Sequence, residues 1–230
     1  MPLVLRGTDS ACRVQRWSFR PDVAQLVMYQ QRQLPAVADL HRWSDRLREL
    51  GFTSVRTTAL ATTAGVRVES AGFHTIQELV LLEHRHPGRG SVASVVTRRL
   101  PAADHAMASA VDVAAFGSQW ALDPAAVAAV CGATPRHRSR TAGTPLAAYA
   151  ISGRDAKQGF LQRLAVRPDQ QRQGLGRALV IDSLQWLARW RVQRVLVNTP
   201  IDNAAALALY ESAGFRKLPE HLRLYERVLA

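Results

Sequence analysis

Gly174 and Gly176 stand in the run Arg172-Gln173-Gly174-Leu175-Gly176-Arg177, between a strand-like stretch and a helical one. Glycine at alternate positions lets a backbone turn tightly with its N–H groups facing outward. Where a helix begins, such unpaired donors and the positive end of the helix dipole make an anion site. Arg172 and Arg177 flank it with mobile positive charge. Taken alone, a Gly-x-Gly pair also describes an ordinary helix entry. A second chemical feature lies further on, where Asn203 and Tyr210 are seven residues apart in an alanine-rich stretch. Two helical turns would set both polar groups on one face. A phenol there can hold or give a proton; the alternative is a ring that fills the core while its hydroxyl meets water.

Elements must position these residues. Gly159 to Val166 (GFLQRLAV) is rich in large apolar types and predicts a strand that Pro168 stops. Gly176, Val180, Leu184 and Leu187 recur at three-four spacing and predict a helix face. Val195-Leu196-Val197 reads as a buried strand broken by Pro200. Asp202 or Asn203 can cap the helix that follows, Gly214 supplies its stop, and Phe215 packs behind it.

Together these pieces resemble the GNAT family of acyl-CoA-dependent N-acetyltransferases. The order is a strand with Leu164-Ala165-Val166, the Q/R-x-x-G-x-G/A signature as Gln171-Arg-Gln-Gly174-Leu-Gly176, a helix, a strand, then N-(x)6-Y. The likeness covers roughly residues 92–230, with its specific motifs inside 159–215. It implies an α/β fold with a mixed, mostly antiparallel sheet covered by helices. It also implies acetyl-CoA as cosubstrate, a primary amine as acceptor and no metal.

Residue by residue, the resemblance gives Leu164, Ala165 and Val166 the pantetheine arm, with one of their N–H groups polarising the thioester carbonyl. Arg172, Gln173, Gly174, Leu175, Gly176 and Arg177 would hold the pyrophosphate. Asn203 would touch the pantetheine or fix the local geometry, and Tyr210 would protonate the departing sulfur. Bacterial acetylases of ribosomal-protein N-termini share the N-(x)6-Y pattern and carry a glutamate five residues before that asparagine. Here the position is Asn198, which is no useful base. Asp202, Glu211 and Glu220 are other candidates, each also explained as a solvated surface charge, so no base is named.

Composition sets bounds. The 230 residues suffice for one large or two small domains, and no apolar run approaches the ~20 residues that span a bilayer. The start, MPLVLRGTDS, has no basic region followed by a long apolar stretch, so no secretion signal is expected. Cys12 and Cys131 are isolated, which suggests neither a zinc site nor a disulfide framework, and a reducing cytoplasm is the expected compartment. The formal charge of +12 is nearly all arginine, with lysine only at 157 and 217, scattered along the chain. No recognition-helix signature or aromatic–basic platform stands out, so a nucleic-acid partner is not expected, nor is a membrane. Oligomer formation is left open.

An internal echo organises the chain. Glu69-Ser-Ala-Gly-Phe73 recurs as Glu211-Ser-Ala-Gly-Phe215, and Glu78, Leu82 and Arg85 repeat as Glu220, Leu224 and Arg227. Asp39 and Trp43 find counterparts in Asp182 and Trp186 with one residue of slippage. The first copy reads Gln31-Arg32-Gln33-Leu34-Pro35 where the second has its Gly-x-Gly, and Val68 where the second has Tyr210. The expected organisation is a degenerate GNAT-like region, 1–88, joined at His86–Gly90 to a catalytic domain, 92–230. His84 and His86 lack a third ligand and read as a surface turn rather than a metal site. Within the second domain, strands are expected at Val95–Leu100, His137–Thr141 and Pro145–Ile151, helices at Ala102–Phe116 and Pro124–Val130, and a turn at Ser152–Asp155.

Three functional readings follow. The first is an N-acetyltransferase acting on a protein N-terminus or small amine, by direct attack in a ternary complex. The second is a tandem enzyme resembling mycothiol synthase. The third is a non-catalytic acyl-CoA sensor.

Overall fold

The structure, a computed structural model, describes residues 3–28, 34–87 and 94–229. The chain divides into two compact units, Met1–Val80 with Pro219–Ala230, and Leu81–Leu218. Two long strands, β6 and β12 below, have residues in both.

The first unit opens with β1 (Leu3–Arg6), β2 (Ala11–Trp17) and β3 (Arg20–Met28), an antiparallel meander. Helix α1 (Val37–Glu49) then crosses over to β4 (Ser54–Thr57), which lies parallel to β3. The short β5 (Leu60–Ala61) and α2 (Thr62–Ser70) lead into β6 (His74–Arg85). Strand β12 (Arg216–Val228) closes this sheet against β4. Leu40, Trp43 and Leu47 of α1 bury one face of that helix with Val55, Val68, Phe73 and Tyr225.

In the second unit, β7 (Arg98–Arg99) precedes a one-turn 3₁₀ segment (Ala102–Asp104), α3 (His105–Phe116) and α4 (Pro124–Cys131). The antiparallel run β8 (Arg136–Ala142), β9 (Ala148–Arg154) and β10 (Gln158–Val166) follows. Helix α5 (Leu175–Arg189) crosses to β11 (Arg194–Pro200), which pairs in parallel with β10, and α6 (Ala204–Ser212) leads to β12. The strand order here is β6-β11-β10-β9-β8-β7. Ala108 and Val111 of α3 and Val127 of α4 pack on Tyr149, Ile151 and Ala165 of the sheet. The predicted α5 face is buried at Val180, Leu184 and Leu187. Gly159 lies under Leu187 so closely that a Cβ there would come within 2.8 Å of it, which is why the second residue of β10 is glycine.

Three predicted elements differ. The strand expected at Val95–Leu100 shrinks to Arg98–Arg99 because Arg140 donates to the Thr97 carbonyl (2.6 Å) and Thr97 donates its hydroxyl to Asp182 (2.8 Å), which takes Thr97 out of the ladder. The turn expected at Ser152–Asp155 is displaced. Ser152, Gly153 and Arg154 pair with Leu161, Phe160 and Gly159, and the chain reverses only where Asp155 Oδ1 accepts from Gln158 N (2.9 Å). His84 lies on β6 rather than in a surface turn, its ring edge-on to Phe215 at 5.3 Å.

The echo is atomic. Phe73 N donates to Val68 O (3.1 Å) past Gly72 at φ 82°, and Phe215 N donates to Tyr210 O (3.0 Å) past Gly214 at φ 92°. The ends of α1 and α5 also correspond, through Phe52 N to Leu47 O and Val192 N to Leu187 O, a shift of 140. That register sets Asp39 and Trp43 opposite Leu179 and Ser183, not Asp182 and Trp186. Gln31, Arg32, Gln33 and most of the expected joint, Gly88–Gly90, lie outside the described residues.

Candidate active site

Strand β10 pairs with β9 up to Val166↔Ala148, but its parallel ladder with β11 covers only Gln158–Phe160. The two strands share a register at one end and part company at the other. From Leu161 onward the β11-facing edge of β10 has no ladder partner among the described residues. Such an edge offers unpaired backbone donors and acceptors to an extended ligand. A register shift between Leu161 and Arg163 marks a bulge where the strands separate. Ala165 faces the core, while Leu164 and Val166 are half-buried.

Beyond Val166 the chain makes a short 3₁₀ turn, Pro168–Gln170, and enters the glycine loop. Arg172 (φ 66°) and Gly174 (φ 81°) both occupy the left-handed region, which winds the loop tightly. Glycine removes the steric cost of that conformation at 174. The first i→i−4 bond of α5 is Ala178 N to Gly174 O (2.9 Å), so the N–H groups of Leu175, Gly176 and Arg177 have no intrahelical acceptor. No acidic side chain occupies that first turn. These donors and the helix dipole suit a phosphate. Gly176 has a packing role as well, since a Cβ there would lie 3.2 Å from Leu209 and 3.4 Å from Val166. Its absence lets α5 approach α6 and the end of β10 closely. Arg172 and Gln173 are exposed, and Arg177 donates to the Ser212 hydroxyl (3.2 Å) two residues past Tyr210.

Tyr210 is 5% exposed, its ring 5.7 Å from that of Phe215. Burial pushes its hydroxyl pKa upward, and the nearby Arg163 charge opposes this only in part. The hydroxyl has no hydrogen-bond partner among the described residues. Of the two expected caps, Asn203 is the one used. Its Oδ1 accepts from Ala206 N (3.0 Å) and caps α6, about two turns from Tyr210, which leaves Nδ2 as the free donor. Asn198 is exposed on β11, as are Asp202, Glu211 and Glu220, and Glu211 is paired with Lys217 (3.0 Å).

The sequence reading missed one cluster. Asp112 of α3, fully buried, accepts from Arg163 Nε (3.0 Å), from Arg163 Nη2, from the Tyr149 hydroxyl (2.6 Å) and from Leu122 N (2.7 Å). Arg163 also donates to Trp120 O (2.9 Å) and lies over the Phe116 ring at 4.0 Å. This network ties the β10 bulge to α3. Its signal was an arginine inside the apolar strand GFLQRLAV and an aspartate inside the apolar helix HAMASAVDVAAF, each needing an opposite charge.

Comparison with known proteins decides the family. The sequence profile of the acetyltransferase (GNAT) family matches residues 94–215, more than half of the chain. The chain belongs to the GNAT family. It is an N-acetyltransferase by that membership. The [ribosomal protein bS18]-alanine N-acetyltransferase of Escherichia coli K12 is 34% identical over 127 residues, 55% of this chain and 81% of the relative. The mycothiol acetyltransferase of Kocuria rhizophila is 41% identical over 66 residues, 29% of this chain and 22% of the relative. A solved tandem GNAT protein from the clavulanic acid biosynthesis pathway superposes with a TM-score of 0.67 at 14% identity, covering 96% of this chain and 79% of its own. That likeness extends the GNAT fold to the first unit.

Proposed function

We propose that the chain transfers the acetyl group of acetyl-CoA to an α-amine, a protein N-terminus or a small molecule, by direct attack in a ternary complex. The observation that carries this reading is the unladdered edge of β10 from Leu161 to Val166, running into the uncapped N–H groups of α5. That pairing of an extended edge with an anion cradle fits a pantetheine arm ending in a pyrophosphate.

In this reading the backbone of Leu164–Val166 binds the pantetheine, and Arg172–Arg177 hold the pyrophosphate, with Asn203 Nδ2 free to contact the arm. Bound acetyl-CoA supplies an acyl group activated as a thioester. A β10 N–H polarises its carbonyl oxygen, the acceptor nitrogen attacks the carbonyl carbon, and the carbon–sulfur bond breaks. The Tyr210 hydroxyl gives its proton to the leaving sulfur, and the attacking nitrogen loses one to solvent. With Asn198 where the ribosomal-protein acetylases carry a glutamate, an amine of which a fraction is already neutral near pH 7 is the natural acceptor. An α-amine near pKa about 8 meets that condition, and a lysine near about 10.4 does not. The relative named for alanine N-acetylation of ribosomal protein bS18 supports the same choice. The catalytic domain is assigned to residues 92–230, and residues 1–88 to a half without a cofactor site.

Calorimetric titration of acetyl-CoA into wild type and Gly174→Asp tests the cradle, since a carboxylate at the helix entry repels a phosphate. Undiminished binding by the variant removes the basis of the reading. A thiol-release assay with alanine-terminated peptides, other α-amines and lysine amides then reads the acceptor. Turnover on lysine amides alone contradicts the α-amine assignment.

A further inference from the structure

The end of α5 opposite the cofactor loop carries a feature that no linear segment displays. At about 1.5 Å per residue, Leu175 and Arg189 are roughly 20 Å apart along the helix. At the Arg189 end, one rim of the second unit's sheet gathers the first residues of β8, β10 and β11 and the last of β9, through Arg136↔Arg154, Arg154↔Gly159 and Gln158↔Arg194. The loop after α5 joins the same rim where Gln193 N donates to Lys157 O (3.2 Å).

Arg136, Arg154, Lys157, Arg189 and Arg191 meet there, and none has an ion pair among the described residues. Arg138, Arg140, Arg163 and Arg167 of the same unit, by contrast, each hold a carboxylate. Of the carboxylates at the rim, Asp155 is spent on the backbone N–H groups of Lys157 and Gln158, and Glu83 on Arg194 and Arg85. Five like charges on one rim repel each other, and a polyanion relieves that repulsion.

The rim also holds an aromatic. Trp190 is 49% exposed, and the Arg154 guanidinium covers one side of it at 4.3 Å from the ring centroid. The remaining exposed surface offers a base a place to stack, and the guanidiniums suit phosphate oxygens bidentately. A lipid surface fits less well, because Trp190 is the rim's sole exposed large apolar side chain among the described residues. From β8 to β11 is three strand spacings, roughly 14 Å, a length that a few nucleotides cover. We propose that this rim binds single-stranded nucleic acid.

The test is fluorescence anisotropy of fluorescein-labelled oligo(U) and oligo(dT), each of about 15 nucleotides, a length near the upper site size of one single-strand-binding fold. Binding of either is expected, and with three or four phosphates neutralised the affinity falls roughly 15- to 60-fold between 50 and 200 mM salt. Trp190→Ala is expected to weaken binding roughly 5- to 100-fold. The Lys157→Glu/Arg189→Glu variant is expected to weaken it further, while each variant keeps its acetyl-CoA affinity as proof of folding. Arg98→Glu/Arg99→Glu changes net charge equally on β7, off the rim. If it weakens binding as much as the rim reversal, the attraction is diffuse and the site is overturned. Failure to bind either oligonucleotide, or binding only to phosphatidylserine vesicles, also overturns it. None of these outcomes depends on the acetyl transfer proposed above.

Discussion

Because the Tyr210 ring is packed against Phe215 and almost wholly buried, removing its hydroxyl changes chemistry without changing the helix around it. Tyr210→Phe is therefore expected to leave acetyl-CoA affinity as it was and to lower kcat by about 10²- to 10⁴-fold, the usual worth of a placed general acid. Calorimetry and single-turnover thiol release separate the two readouts, and a variant with wild-type kcat would strip Tyr210 of its role. The sign of the pH dependence follows from the same burial. Desolvation disfavours the phenolate, so the folded pKa is displaced upward and the acid stays protonated through alkaline pH. The acceptor amine must be neutral to attack. The rate is therefore expected to rise as an α-amine deprotonates near about pH 8 and then to hold level. An alkaline fall starting below about pH 10, the ordinary tyrosine value, would identify a different acid.

At the scale of elements, β10 parts from β11 after Phe160, and the Asp112–Arg163 pair ties that place to α3. Asp112→Asn keeps the shape but leaves the Arg163 charge without its carboxylate in a buried setting. Breaking such a pair costs about 3 kcal/mol, readable as a lowered midpoint in urea unfolding. If the pair only stabilises the fold, acetyl-CoA affinity of the folded variant is unchanged. If it positions the bulge, affinity falls as well, and Asp112→Glu restores part of it. The limits of the sequence are visible at this same place. GFLQRLAV, the α5 stripe and the Asn203 cap were legible because strand composition, three-four spacing and capping chemistry are local. Asp112 and Arg163 are 51 residues apart, and Tyr149 is 37 from Asp112, so only the topology joins them. The Val95–Leu100 strand failed for a related reason, since Asp182 and Arg140 claim Thr97 from far along the chain. The rim cations are likewise scattered in sequence, and the end of one helix and four strand ends collect them.

For the whole molecule, the repeated framework poses the question of how many cosubstrate sites one chain holds. Both units contain a strand–helix–strand crossover with a parallel pair, and both close the following helix with the same glycine-phenylalanine stop. They differ in how the parallel pair is used. In the first unit, Val23–Leu26 is laddered to Ser54–Thr57, and Thr58 N donates once more to Leu26 O (3.3 Å). In the second unit the six residues Leu161–Val166 of β10 lie beyond the corresponding ladder. The position matching Tyr210 is Val68, 1% exposed and built into the core, with no proton to give. Calorimetry is therefore expected to give a stoichiometry of one acetyl-CoA per chain, with a single enthalpy and no second phase. Gly174→Asp should remove that binding altogether, because the first copy reads Leu34-Pro35 where the second has its Gly-x-Gly. A second equivalent in wild type, or a residual saturable site in Gly174→Asp, would mean that the first unit still binds. In that case the loss of the Gly-x-Gly pair in the first copy did not extinguish its site.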